Sequence, residues 1–185
     1  MKATQLLKHQ HKEVARLFKE IDEVEDASKK KRIFEELAAM LVAHDAIERE
    51  IFYPACERKL GMDDVLGEAL VEHGYVEFGL YQADEARGKK GFEFRVTVLS
   101  EMVKHHVKEE EKQLLPKVEK EIDDEVLEAL GDKMQARFEQ ALGEDFRKPL
   151  HENLCQVLQG ALKPVPHPKK TKTGARANGH SRVAH

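Results

Sequence analysis

Two stretches of the chain repeat a spacing of histidine, glutamate and proline that suits metal binding. In HDAIEREIFYP and in HHVKEEEKQLLP, His44 and His106 are each followed four residues later by a glutamate, Glu48 and Glu110, and ten residues later by a proline. Residues four apart share one face of an α-helix, so the imidazole and the carboxylate of each pair can approach the same ion.

The repeat extends beyond these pairs. The offset of 62 residues between His44 and His106 also relates His11 to His73. The same offset aligns apolar positions, namely Val14 with Val76, Leu37 with Leu99, and Met40 with Met102. The repeated unit is therefore predicted to be a helical hairpin with one histidine on its first helix and H-x-x-x-E on its second. Two such hairpins packed together would direct four histidines and two glutamates toward one point.

Surface ion pairing is the alternative interpretation, because histidine followed by glutamate at the fourth position is common here. It occurs at His9, His44, His73, His105 and His106. His44 and His106 lie on the apolar stripes of their helices, where an isolated ionised glutamate would be costly to bury without a cation. His9 and His105 are interpreted as surface residues. By themselves His11 and His73 would be core histidines, and their shared register with the other pair favours ligation.

The ligand types restrict the metal. Six imidazole and carboxylate ligands without a thiolate exceed the needs of one tetrahedral zinc ion, whereas two metals that share carboxylates can use all six. In that arrangement each metal receives two histidines, and Glu48 and Glu110 bridge. The mixture suits iron, with manganese or zinc as alternatives.

The elements that must position these residues are helices. Apolar residues recur at helical spacing, and no stretch shows sustained strand alternation. Helices are predicted at about 3–25, 29–59, 64–87 and 92–122, followed by a shorter one at about 125–142. Short connections between long amphipathic helices predict an all-α, up-down-up-down four-helix bundle with a C-terminal helical appendage and a disordered basic tail. The domain prediction is 1–122 for the bundle, 123–162 for the helical extension and 163–185 for the tail.

The tail and the composition exclude several classes of protein. Residues 163–185 hold six lysines or arginines and no acid, with few large apolar side chains, so they are expected to be disordered. The tail has no aromatic residues for base stacking, and nucleic-acid binding is not expected. Cys56 and Cys155 are isolated, which does not suggest a disulfide framework. Without a signal peptide or an apolar run long enough to span a membrane, the chain is expected to be cytoplasmic.

Four motifs on successive helices resemble those of the hemerythrin-like, HHE cation-binding proteins. They are QHKEV, HDAIEREIFYP, EHGYVE and HHVKEEEKQLLP. The resemblance covers about residues 3–122, and the following segment, 123–141, is similar to a helix that often trails that domain. It implies a non-haem centre of two iron ions, with an oxo or hydroxo bridge, in a four-helix bundle. The ligands that it implies are His11, His44, Glu48, His73, His106 and Glu110.

The sequence departs from the oxygen-carrying hemerythrins on the third helix. Those proteins have H-x-x-x-H there, but this chain has Glu77 four residues after His73. Glu77 is predicted to ligate one iron or to hold a water, which would favour oxidised iron, and a solvated position at the rim of the bundle is the alternative. Tyr53 could reach the site as a ligand or hydrogen-bond donor, but nine residues from His44 is poor helical register, so a packed aromatic is the favoured interpretation.

Three functions are compatible with these features. The first is a non-enzymatic di-iron protein that binds dioxygen, nitric oxide or iron itself and serves sensing, storage or homeostasis. The second is a peroxide-consuming, catalase-like oxidoreductase at the same centre. The third is a helical interaction protein whose basic tail docks a partner protein, with a structural metal. The sequence does not contain a dedicated acid–base pair that would decide whether the chain is an enzyme.

Overall fold

A computed structural model describes residues 1–61 and 64–158 of the chain. Within these ranges all regular structure is helical, which confirms the all-α prediction. The predicted disordered tail lies outside the described residues. No described helix is long and apolar enough to cross a membrane. The helices are α1 (Ala3–Glu23), α2 (Ala27–Ile47), α3 (Tyr53–Leu60), α4 (Asp64–Glu85), α5 (Phe92–Glu109), α6 (Leu115–Glu121), α7 (Asp124–Leu142) and α8 (Arg147–Leu158).

Two of the long predicted helices contain a π-helical turn at the repeated motif. Glu48–Phe52 joins α2 to α3, and Glu110–Leu114 joins α5 to α6. At the end of each turn a backbone N–H donates to the carbonyl five residues earlier, from Tyr53 to Glu48 and from Leu115 to Glu110. Single π turns of this kind are frequent at functional sites because they change the direction of side chains within a continuous helix.

The repeated prolines mark where these turns end. Pro54 and Pro116 occupy the first turn of α3 and of α6. A proline lacks the N–H that an α-helix interior needs, but it is tolerated where a helix begins or where the hydrogen-bond ladder is already interrupted. The spacing from histidine to proline therefore reflects the π turn that occurs in both hairpins. It does not indicate that the prolines lie at ligand positions.

The helices pack as two hairpins whose apolar core is divided by a polar layer. α1 packs on α2, and α4 packs on α5. One buried cluster includes Phe34, Leu99 and Leu150, and a second includes Leu7 and Phe52. The buried histidines and glutamates of the repeat lie between these two clusters along the helices. The fold thus places its polar chemistry in the middle of the bundle, where solvent is excluded.

The extension after the bundle contains two described helices rather than the one predicted. α7 packs against α1 and α2. Gly131 of α7 approaches the N-terminus so closely that a Cβ atom there would lie 2.0 Å from the carbonyl oxygen of Met1. α8 packs on α4 and buries Leu150 and Leu154 in the core. Both helices are therefore integral parts of the packed structure.

Candidate metal centre

The structure brings the six predicted ligands together inside the bundle. Each histidine comes from a different long helix, and Glu48 and Glu110 open the two π turns. All six side chains are buried. In each of two overlapping groups, every residue offers one ligand atom within 4.8 Å of the others. The first group is His11, His44, Glu48 and Glu110, and the second is Glu48, His73 and His106.

Several buried polar atoms in these groups have no hydrogen-bond partner. They are the Nε2 atoms of His11 and His44, both carboxylate oxygens of Glu48, and Oε2 of Glu110. His11 Nε2 lies 3.2 Å from Glu110 Oε2, and His44 Nε2 lies 3.1 Å from Glu48 Oε2. Unsatisfied polar atoms inside a protein are costly, and their convergence from different helices is what a metal ion compensates. The donor set therefore fits bound cations.

The outward nitrogen of each of the four predicted ligand histidines has a partner. Because these partners are carboxylate or amide oxygens, which accept hydrogen bonds, each Nδ1 is the donor, and Nε2 is the ring atom that faces the interior and is available to a metal ion. Such outer bonds orient the imidazole ligands in metal sites. The Nδ1 bonds run from His11 to Glu111 (2.8 Å), from His44 to Gln10 (2.7 Å), from His73 to Asp45 (2.7 Å) and from His106 to Glu72 (3.0 Å).

The electrostatics of the layer also call for positive charge. Burial raises the pKa of Glu48, but the neighbouring His44 and His73 imidazoles outweigh burial and hold that pKa well below its ordinary value. Burial lowers the pKa of His11, but its contacts with the Glu110 carboxylate more than compensate and raise the pKa to about 9. The buried carboxylates thus require cations beside them, which protons on the imidazoles or metal ions can supply.

Tyr53 reaches the site, contrary to the favoured interpretation of a packed aromatic. Its hydroxyl oxygen lies 2.9 Å from His73 Nε2 and 3.4 Å from Glu110 Oε1. The π turn before it adds one residue to a helical turn, which rotates Tyr53 by about 100° relative to an unbroken α-helix. Helical register counted from His44 therefore gave the wrong direction for the Tyr53 side chain. In the sequence, Pro54 was the available signal that the α-helix is interrupted before this point.

Glu77 is buried close to the two groups of candidate ligands. Among the described residues, it is a member of neither group. Its side chain is 4% exposed, so the alternative of a solvated rim position is wrong. Glu77 Oε1 accepts a hydrogen bond of 2.6 Å from Asn153, while Oε2 has no partner. Burial, assisted by the nearby Asp45 carboxylate, raises the pKa of Glu77 to about 8. Its predicted role, to ligate one iron or to hold a water, stays a prediction.

A small cavity of about 30 Å³ lies against the polar layer. This volume suffices for a molecule the size of water. The four histidines and Glu77 line one side, and the remaining lining is mostly valine and leucine, namely Val14, Leu41, Val42, Val76, Leu80, Val103 and Val107, together with Asp45. The cavity therefore borders the candidate ligands and is otherwise lined mainly by apolar side chains.

The two histidines assigned to the surface are outside the centre. His9 and His105 are both exposed. His105 lies 3.2 Å from Glu72, whose other carboxylate oxygen accepts the hydrogen bond from His106. The one-residue difference in helical register between His105 and His106 thus separates a solvent-facing imidazole from an interior one, as the sequence predicted.

The sequence interpretation missed the outer partners of the histidines. Gln10 and Glu72 occupy equivalent positions of the repeat, each directly before the first histidine of its hairpin, and the 62-residue offset could have identified them. Asp45 and Glu111 have no such relation, and neither has Asn153, which lies in a separate helix. Their roles depend on tertiary packing and carried no signal in the local sequence.

Comparison with known proteins agrees with this geometry. Residues 2–118 match the model of the Hemerythrin HHE cation binding domain. A similar fold occurs in the crystal structure of a hemerythrin HHE cation binding domain-containing protein from Mycobacterium kansasii, with 26% sequence identity and a TM-score of 0.69. That alignment covers 87% of this chain and 94% of the other. A comparison with curated proteins yields no significant match. The chain belongs to the hemerythrin HHE cation-binding family.

Proposed function

We propose that the chain binds two iron ions in the polar layer of the bundle. One ion is held by His11 and His44, and the other by His73 and His106. The observation that carries this proposal is the presence of Glu48 in both ligand groups, since a shared carboxylate places two cations side by side. Glu110 completes the first group and is the second bridging candidate, because its Oε1 faces Tyr53 on the side of His73.

The donor set supports iron over a single structural zinc ion. It contains imidazole nitrogens and carboxylate oxygens, without a cysteine thiolate, and six ligands exceed tetrahedral coordination. Tyr53 places a phenolic hydroxyl oxygen at 2.9 Å from His73 Nε2, beside this donor set. Bound iron would supply one-electron redox chemistry and affinity for small oxygen- or nitrogen-containing ligands.

The cavity supports a function in binding dioxygen or nitric oxide. Its volume of about 30 Å³ admits a very small molecule, and its valine and leucine lining favours an apolar one. The chain would then act as a binding or sensing protein for a diatomic gas, without a requirement for turnover.

Tyr53 favours a second candidate, consumption of peroxide. Burial raises the pKa of Tyr53 well above its ordinary value, and Glu110 and Glu48 add to this effect, so the hydroxyl keeps its proton. A buried O–H group beside His73 and Glu110 can donate that proton to a reacting oxygen atom. Such a donor is useful to an enzyme that cleaves an O–O bond, and less so to a reversible gas carrier.

Spectroscopy of the purified protein tests the proposal. Anaerobically purified protein should show no visible band, and exposure to air should produce charge-transfer absorption that scales with an iron content near two per chain. Addition of nitric oxide to the reduced protein should change the spectrum in proportion to iron. A colourless protein with one zinc ion after expression in iron-rich medium would contradict the proposal.

The two candidate functions differ in their response to hydrogen peroxide. A gas-binding protein should oxidise once and stop. A peroxide-consuming enzyme should release dioxygen, or oxidise an added reductant, over many cycles per centre. Oxygen-electrode traces after a peroxide addition of about a hundred equivalents separate the two.

A further inference from the structure

The last described helix, α8, delivers the side chain of Asn153 to the edge of the candidate metal centre. Asn153 Nδ2 donates a hydrogen bond of 2.6 Å to Glu77 Oε1 and one of 3.2 Å to Asp45 Oδ2. Asn153 lies beyond residue 118, where the match to the family domain ends. A residue from the extension thus contacts two buried acids that flank the candidate ligands.

The first of these acids orients a ligand. Asp45 Oδ1 accepts the bond from His73 Nδ1 at 2.7 Å, and Asp45 Oδ2 accepts from Arg49 Nε at 3.0 Å and from Asn153. With donors on both oxygens, the carboxylate has little freedom to rotate. Asn153 and Arg49 therefore fix the plane of the Asp45 carboxylate, which in turn orients the His73 imidazole.

The second acid faces the cavity. Glu77 lies one helical turn after His73 on α4, so its carboxylate is within reach of the same region, yet its Oε1 is held by Asn153 and lies 3.9 Å from Arg49 Nη2. Its Oε2 is without a hydrogen-bond partner in a buried position. The short bond to Asn153 determines which way Glu77 points.

The position of Asn153 is itself well determined by packing. The residue next to it, Leu154, is buried in the core, as is Leu150 one turn earlier. At the start of α8, Arg147 makes two hydrogen bonds to Asp84, at 3.0 and 3.3 Å. These contacts anchor α8 to α4, which also carries Glu77, so the asparagine is held by a fixed helix and not by a loop.

We infer that Asn153 is a positioning residue that holds Glu77 away from the metal ions and steadies Asp45 behind His73, which keeps one coordination position open toward the cavity. The inference rests on the proposed function, since it assigns a task within the same centre. It predicts that the bundle binds a small ligand at the metal centre with full affinity only when α8 is packed against α4.

Binding of azide to the oxidised iron protein tests this role. Asn153→Leu removes both donors at similar size, and Glu77, released from its partner, should then compete for the open position. The affinity for azide should fall by at least tenfold while iron stays near two per chain. In a Glu77→Gln background, the same Asn153→Leu change should alter azide affinity by less than twofold, because the competing carboxylate is gone.

Matched variants separate positioning from folding. Gln156→Leu introduces the same apolar side chain at an exposed position of α8 and should leave azide affinity unchanged. Asn153→Ser, a smaller change, serves where Asn153→Leu does not fold. Azide affinity within twofold of the parent protein in both Asn153 variants would overturn the inference, and so would loss of iron in both, since that would make Asn153 a structural residue.

A second measurement does not depend on iron chemistry. In the zinc-loaded full-length protein, NMR should resolve the proton on His73 Nδ1, which donates a hydrogen bond to Asp45. Asn153→Leu should shift or broaden this resonance, and Gln156→Leu should not. An unchanged resonance would refute the role of Asn153. A parent protein that holds zinc but neither iron nor azide would instead refute the proposed function, so the two failures are distinguishable.

Discussion

The two halves of the candidate metal centre have the same types of candidate ligand and different surroundings. The 62-residue repeat gives each hairpin one histidine on its first helix and a histidine and glutamate on its second. The side chain that orients the second histidine is also repeated, Gln10 for His44 and Glu72 for His106. In their candidate ligands and in the side chains that orient the second histidines, the two halves are therefore near copies.

The residues around the first histidine of each hairpin, His11 and His73, differ between the halves. The half around His73 has Tyr53 at the inner nitrogen and Asp45 at the outer one, and Asp45 connects to Arg49 and Asn153. The repeat equivalent of Tyr53 is Leu115, an apolar residue with no donor. The half around His11 has only the partly exposed Glu111 behind its ligand.

This difference indicates that the repeated hairpin determines which residues can bind metal, whereas the side chains around them determine how a bound metal would react. The repeated hairpin supplies the two groups of residues that we propose as cation sites. The side chains that can donate a proton or compete for a coordination position, Tyr53 and Glu77, lie on the His73 side. We therefore expect substitutions of shared ligands to affect both halves, and substitutions of the outer partners to affect one.

The largest effect is expected from the residue common to both groups. Glu48→Gln removes a full charge from the shared carboxylate and should reduce iron from about two per chain to less than about 0.3, measured by plasma mass spectrometry after identical purification. Glu50→Gln, on the exposed side of the same π turn, is the matched control and should retain the parent iron content. Retention of two irons in Glu48→Gln would break the idea of a shared bridge.

Removal of one histidine from either half should also prevent assembly of the pair. His44→Ala and His106→Ala are each expected to abolish loading of the di-iron centre, because in each variant one metal position loses one of its two imidazoles and the pair cannot assemble. His9→Ala and His105→Ala, at exposed positions, should leave iron content nearly intact. Equal losses in both sets of variants would show that the wrong helical face was chosen.

Tyr53→Phe sharpens the contrast between the halves. The change removes one hydroxyl group and should leave two irons per chain, but it should lower peroxide consumption by at least tenfold if Tyr53 supplies the proton. Tyr75→Phe, at a residue that is 62% exposed, is the control and should behave like the parent. Equal rates in all three proteins would assign Tyr53 to packing and remove the argument for the peroxide candidate.

A smaller, pH-dependent effect is expected from His11. Its raised folded pKa of about 9 means that chelator-treated protein gains stability from this group below its ordinary pKa near 6.5 and loses that stability as the pH rises through 9. The free energy of unfolding should therefore fall between pH 6.5 and 9, by up to about 3 kcal/mol. Iron-loaded protein should show no such loss, because metal replaces the proton. Parallel urea titrations of the two forms provide the comparison.

The sequence predicted the helical bundle and the inner ligands because both are encoded in local periodicity. Helical spacing placed His44 and Glu48 on one face, and the internal repeat distinguished His106 from its neighbour His105. These inferences need only the geometry of a single helix and the symmetry of two hairpins. The structure brings the same residues together in the buried layer.

What the sequence could not predict depends on interrupted helices and distant contacts. The direction of Tyr53 follows from a π turn, which has no strong local signature other than the proline after it. Asn153 meets Asp45 across 108 residues of chain, and its helix was not delimited from the sequence. The outer partners on the His73 side are thus the part of the site that only tertiary structure reveals.

Anomalous diffraction from crystals of the iron-loaded protein tests the central claim most directly. Data collected at the iron absorption edge should show two peaks inside the bundle, one between His11 and His44 and one between His73 and His106, with Glu48 between the peaks. A single peak, or peaks confined to the surface, would contradict a centre in which two metal ions share one carboxylate.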